Sequence, residues 1–106
     1  VGSPNLQVIY DPVNLLSAKN HARQKEITDE ATSLLSERIC VVHAKDFTVH
    51  GDEIREHPAG DGSFDYAGLL GWVKQQKPGI DILLENTHPD SIERTIAFVR
   101  EAYARA

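Results

Sequence analysis

With 106 residues the chain is long enough for one domain at most, with a modest core. It is 41% apolar and 25% charged with a net charge of −5, its acidic and basic residues interspersed, which excludes a disordered chain and leaves no basic patch for nucleic acid. No apolar run approaches a membrane span, no signal peptide is expected, and the single cysteine excludes an internal disulfide framework, so a reducing, cytoplasmic setting is expected.

Residues 7–11, Gln-Val-Ile-Tyr-Asp, predict a first short strand, closed by the turn-forming Asp11-Pro12-Val13-Asn14. From Ser17 to Arg38 the chain reads as helix over most of its length. Ile27, Ala31, Leu34 and Leu35 fall at i, i+4, i+7 and i+8, one amphipathic stripe. Residues 17–26 are polar and form either loop or an exposed first turn.

Ile39 to Ala44 predicts a second strand whose apolar run, interrupted only by His43, suits a parallel strand covered on both faces. Cys40 is expected to pack in the core. The polar stretch from Lys45 to Ser63 holds Gly51, Pro58, Gly60 and Gly62 and carries His50, Arg55 and His57, which predicts a long functional loop.

Asp65 is a good N-cap for a helix with Tyr66, Leu69, Leu70 and Val73 on its buried face and Trp72 as packing area; Pro78-Gly79 stops it. Ile80 to Leu84 is the third strand, ending in Glu85. Pro89 and Asp90 then start the last helix, with Glu93 placed to pair with Asp90 in a capping box and Ile92, Ile96, Val99 and Tyr103 as its stripe. His21, His50 and His88 read as surface or capping residues.

The order is βα-βα-βα, an α/β pattern whose parallel strands are joined by right-handed crossovers. Side-chain alternation places Gln7, Ile9 and Asp11 on one face, with Ile39, Val41, His43 and Lys45 from the second strand and Asp81, Leu83 and Glu85 from the third. Asp11, His43 and Glu85 therefore all point to one side from strand ends, where parallel α/β architectures bind ligands. That mixture of oxygen and imidazole donors suits a divalent cation. Taken singly, Asp11 serves equally well as a turn cap and His43 reads better as a satisfied core histidine, whereas an unpaired buried Glu85 would be costly. The opposite face, with Val8, Tyr10, Val42, Ala44, Ile82 and Leu84, is the apolar one expected under helices.

Tyr-Asp-Pro-Val-Asn (10–14), Val-His-Ala-Lys-Asp (42–46), Pro-Ala-Gly-Asp-Gly (58–62) and Leu-Leu-Glu-Asn-Thr-His-Pro (83–89) resemble the sugar phosphate isomerase/epimerase family. This is the xylose isomerase-like TIM-barrel group, which also includes endonuclease IV (AP endonuclease family 2) and inosose dehydratases. The resemblance implies that residues 1–106 form a single incomplete domain, the sixth to eighth strands and helices of a (β/α)8 TIM barrel. Such a barrel takes about 250 residues. A start at Val1-Gly2-Ser3-Pro4 and the lack of any methionine agree with a C-terminal fragment of a longer protein.

The resemblance further implies one divalent metal ion (Mn, Zn, Co or Mg) held by Asp11, His43 and Glu85, with a further glutamate ligand lying upstream. Glu85 is implied to be catalytic as well, and Lys45, Arg55, His57 and Asn14 to contact substrate. The implied activity is isomerisation or epimerisation of a small carbohydrate, polyol or sugar phosphate through an enediolate, carried out by the full-length barrel. The alternatives are an inosose-type dehydratase, an endonuclease IV-like enzyme, or a catalytically inert fragment that associates with itself. Asn14, where some relatives carry histidine, and Ile54-Arg55-Glu56, in place of an Asp-x-His pair, argue against the endonuclease, as does the acidic net charge. The expected partners are a homo-oligomer or the missing N-terminal part, with neither nucleic acid nor membrane.

Overall fold

Val8–Tyr10 forms β1, the first element in a computed structural model that describes residues 7–106. The Val1–Pro4 start lies outside the described residues. Asp11 ends the strand, and Pro12 seeds a 3-10 turn over Pro12–Leu15 because its fixed φ suits a first helical position. A second 3-10 turn, His21–Arg23, leads into α1, Gln24–Leu35.

Helix α1 is shorter than the sequence pattern suggests, and its inward row is Ile27, Ala31 and Leu35. Leu34 is 73% exposed. At 100° per residue it lies on the flank of the row that the other three define, so it leaves the stripe.

Ile39–Ala44 forms β2, Asp46–His50 β3, Glu53–His57 β4, Tyr66–Gln76 α2, Asp81–Leu84 β5 and Ile92–Arg105 α3. The sheet order is β1-β2-β5, all parallel, as the βα order requires. Helices cover one face of this sheet. Val42 and Leu70 are fully buried in the core, with Tyr10, Ala44 and Val73 nearly so. Tyr10 packs edge-on against Trp72. The other face is open, with Ile9 59% and Leu83 51% exposed.

Four sequence expectations are corrected. The stretch from Lys45 to Ser63 is not a plain loop, because β3 and β4 pair as an antiparallel hairpin within it. Gly51, at φ 65, takes the first place in the two-residue turn, and Phe47, Val49 and Ile54 alternate with polar residues around it. Cys40 is exposed rather than core. Val8 pairs with Ile39 but Ile9 pairs with Val41, so Cys40 is the extra residue of a bulge.

The same bulge shifts the alternation upstream of Val41. Ile39 is therefore 2% exposed under the helices instead of standing on the inner face with Val41 and His43. Finally, α3 begins at Ile92 rather than at Pro89 or Asp90. The preceding turn is closed by Ser91, whose Oγ accepts from the His88 amide at 2.9 Å, and no side-chain cap bonds the helix.

The Pro58–Gly62 segment is fixed by Asp46, itself 1% exposed. Its Oδ1 accepts from the amides of Phe47 at 2.9 Å and Phe64 at 2.8 Å, and its Oδ2 from Gly60 at 3.0 Å. A side chain at Gly62 would place its Cβ 2.2 Å from the Phe47 carbonyl oxygen, so this close approach needs glycine. The hairpin is thereby tied to the 60–64 segment that leads into α2, whose N-cap Asp65 accepts from the Gly68 amide at 3.0 Å.

Candidate metal centre

Three strand ends build the site. Asp11 follows β1 directly and caps the 3-10 turn, accepting from the Asn14 amide at 3.4 Å. His43 is the penultimate residue of β2. Glu85 is the first residue past β5, and its amide extends the ladder by donating to the Ala44 carbonyl at 2.9 Å. Asn86 then turns the chain away at φ 58, a left-handed conformation that asparagine tolerates.

Alternation along parallel strands turns all three side chains to the open inner face. His43 Nδ1 and Glu85 Oε1 are 2.7 Å apart. One potential ligand atom from each of Asp11, His43 and Glu85 lies within 4.8 Å of the others. Among the described residues this is the group of three or more such side chains able to hold a metal ion. Two carboxylates and an imidazole, all partly buried, match the donor preferences of a divalent transition metal.

The electrostatics separate the two acids. Burial pushes the Asp11 carboxyl above its ordinary value, and a hydrogen bond shared with Glu85 adds to this against the opposing pull of Lys45. Burial also pushes Glu85 up, but its hydrogen bonds with Asp11 and His43 outweigh that and hold it below the usual carboxylate range. Of the two, Asp11 is the one that keeps its proton more readily.

Lys45 is brought beside the cluster. It is only 6% exposed, and its Nζ lies 2.8 Å from Asn14 Oδ1, 3.3 Å from Asp11 Oδ2 and 3.2 Å from Glu56 Oε2. Burial alone would lower its pKa; the Glu56 and Asp11 carboxylates outweigh this and raise it. Its backbone is fixed too, since the Tyr66 hydroxyl donates to the Lys45 carbonyl at 2.5 Å.

Arg55 and His57 lie elsewhere. Strand alternation turns them to the hairpin face opposite Glu56. Arg55 is exposed beside Glu53 at 4.0 Å, and His57 Nε2 meets Thr48 Oγ1 at 2.8 Å. His50 Nε2 meets the same hydroxyl at 2.8 Å. Glu56 is the site neighbour that the sequence reading passed over. Its signal was the alternation of β4, visible only once 53–57 is read as a strand.

Parallel strands joined by helices, with acidic and imidazole side chains at their C-terminal ends, are consistent with part of a β/α barrel. Residues 1–102 match the family described as xylose isomerase-like TIM barrel, and the chain belongs to that family. No curated protein matches the chain. No helix among the described residues is long and apolar enough to cross a membrane.

Proposed function

We propose that this chain supplies the sixth to eighth βα units of a divalent-metal-dependent isomerase or epimerase acting on a small sugar, polyol or sugar phosphate. The observation that carries the reading is the convergence of Asp11, His43 and Glu85 within 4.8 Å at three parallel strand ends. These residues would hold the ion, which when bound supplies polarisation of the substrate's carbonyl and hydroxyl oxygens.

Glu85, held below the usual carboxylate range, is ionised at neutral pH and available to accept a proton at a carboxylate oxygen. It would take the proton from the carbon beside the carbonyl. The resulting enediolate is reprotonated on the neighbouring carbon for isomerisation, with the hydroxyl proton passing to the former carbonyl oxygen, or on the opposite face of the same carbon for epimerisation. Reprotonation needs a second positioned acid, which we assign to a part of the barrel outside this chain. Asn14 and Lys45, bordering the cluster, would steady substrate oxygens. Elimination of water by the same parts would make a dehydratase of the inosose type.

The open inner face favours a second reading for the isolated chain. Ile9 and Leu83 stand exposed there, so the chain alone would pair with copies of itself and turn nothing over. The experiment is a metal-supplemented assay of the chain alone and of a complete barrel containing it, against ketoses, ketose phosphates and inososes. Turnover by the complete barrel only is the expected result. Turnover by neither, with every metal tried, rejects the enzymatic reading.

A further inference from the structure

We propose that Glu56 is a positioning residue for Asp11 and acts through Lys45; the proposal rests on the metal-centre reading given above. An ammonium group has three donors and no acceptor. At Lys45 there are three acceptor oxygens for them, on Asn14, Asp11 and Glu56, at 2.8, 3.3 and 3.2 Å. Each holds Lys45 from a different element: the turn after β1, the strand end itself, and β4 of the hairpin.

Glu56 differs from the other two in how it is held. Its side chain is 45% exposed, so burial does not fix it. Its backbone is fixed instead by pairing with Phe47, which is fully buried. The hairpin therefore acts as a strut from the core to the site, ending in a carboxylate aimed at Lys45. Hairpin residues on the opposite face, Arg55 and Glu53 among them, reach no member of this group among the described contacts.

Two consequences for Asp11 follow, and they have the same sign. Without Glu56, Lys45 loses one of two anions that compensate its charge, and its ammonium is drawn harder onto the Asp11 oxygens that a cation needs. The uncompensated charge also repels any cation bound between Asp11, His43 and Glu85. Partners behind a metal ligand typically control affinity by about 10–100-fold when removed. Glu56 stands two bonds of contact away from the cluster, so its effect must pass through Lys45.

The test uses the full chain and two measurements. In the first, Mn²⁺ is titrated by calorimetry and by electron paramagnetic resonance into wild type, Glu56→Ala, Glu56→Gln and Glu53→Gln. Glu56→Ala is expected to weaken binding several-fold, less than the roughly tenfold lost with a direct partner of a ligand. Glu56→Gln, which keeps an acceptor oxygen without the charge, should fall between it and wild type. Glu53→Gln removes the same charge from the same strand on the opposite face and should bind as wild type does.

The second measurement needs no metal. A double-mutant cycle of Glu56→Gln and Asp11→Asn is read from urea unfolding midpoints, and a non-additive result is expected because both carboxylates share Lys45. Equal Mn²⁺ affinity in Glu56→Ala and wild type overturns the proposal, and so does an additive cycle. If wild type itself binds no Mn²⁺, the metal-centre reading fails, and the cycle alone then decides whether Glu56 and Asp11 are linked.

Discussion

His43 Nδ1 lies 2.7 Å from Glu85 Oε1 across two neighbouring parallel strands. The register sets this contact: His43 pairs with Leu83, and the ladder continues until the Glu85 amide meets the Ala44 carbonyl. Two of the three candidate ligands thus satisfy each other before any cation arrives. Any ion held there would have to replace that bond, while the β2–β5 ladder keeps the two backbones side by side.

Glu85→Gln removes charge and basicity with little change in volume. In a complete barrel it should lower turnover by orders of magnitude, since groups that act as a unit lose most of their effect together. The circular dichroism spectrum should stay near wild type and the unfolding midpoint should fall only modestly, because Glu85 is partly exposed at a strand end. Steady-state kinetics beside a melt checks this, and full activity in the variant would reject the assigned role.

The pH dependence separates Asp11 from Glu85. Asp11 has a raised pKa in the folded state, so its stability contribution is present below its ordinary value of 3.8 and is lost as pH rises through the folded value. Glu85 has the opposite sign: its contribution is present above 4.5 and is lost as pH falls through its lower folded value. The metal-free stability of wild type minus that of Asp11→Asn should therefore shrink as pH rises from 3.8 through the raised folded value. For Glu85→Gln the same difference should grow as pH rises through the lowered folded value and level off above 4.5. Urea unfolding at several pH values measures both, and matching trends would refute the assignment.

Tyr10 offers a test of the core. It is 3% exposed, and its hydroxyl has no hydrogen-bond partner among the described residues. Burial, with a smaller push from Asp29, raises its pKa to about 12. Tyr10→Phe should stabilise the fold by about 1 kcal/mol by removing an unsatisfied buried group. It should also reduce the wild type's loss of stability between pH 10, the ordinary value, and pH 12, the remainder coming from Tyr66, which burial raises as well. A destabilised variant at neutral pH would contradict this.

How far the sequence carried depended on how local each signal was. The three parallel strands, the Asp65 cap and the convergence of Asp11, His43 and Glu85 were legible, because strand ends and period-two alternation fix which way a side chain points. The hairpin was legible in principle: Gly51-Asp52 between alternating residues is a turn signal, obscured by the polarity of Glu53, Arg55 and His57. The bulge at Cys40 was not legible, since one extra residue opposite β1 is a property of the pairing and leaves no mark on an apolar run. The Lys45–Glu56 contact is hidden for the same reason, as it depends on the pairing of β3 with β4.

Asp46 should be the most sensitive polar residue for folding. Asp46→Ala leaves three backbone amides, of Phe47, Gly60 and Phe64, without their acceptor. The Phe47 and Phe64 donors are buried and cost roughly 1–3 kcal/mol each when left without a partner, so a loss of about 2 kcal/mol or more is expected. Gly62→Ala should be severe too, since its Cβ would sit 2.2 Å from a backbone oxygen. Chemical denaturation of both measures the losses, and a near-neutral Asp46→Ala would show that this lock is not needed.

The open inner face predicts association. Ile9 and Leu83 are exposed on it, and β1 and β5 each have one unpaired edge among the described strands. Sedimentation of the isolated chain at micromolar concentration should show dimers or larger species, and Ile9→Lys with Leu83→Lys should shift them toward monomer. A well-folded wild-type monomer would count against the idea.

The bulge has a practical use. Cys40 is the chain's one thiol and it is exposed, so a maleimide or spin label has a single point of attachment with no competing cysteine to remove. It sits at the opposite end of β2 from the strand-end cluster, three residues before His43, or roughly 10 Å along a strand. A nitroxide there is close enough to sense a paramagnetic ion beside His43. It stays clear of Asp11, Lys45 and Glu56, and so reports occupancy of the site from outside it.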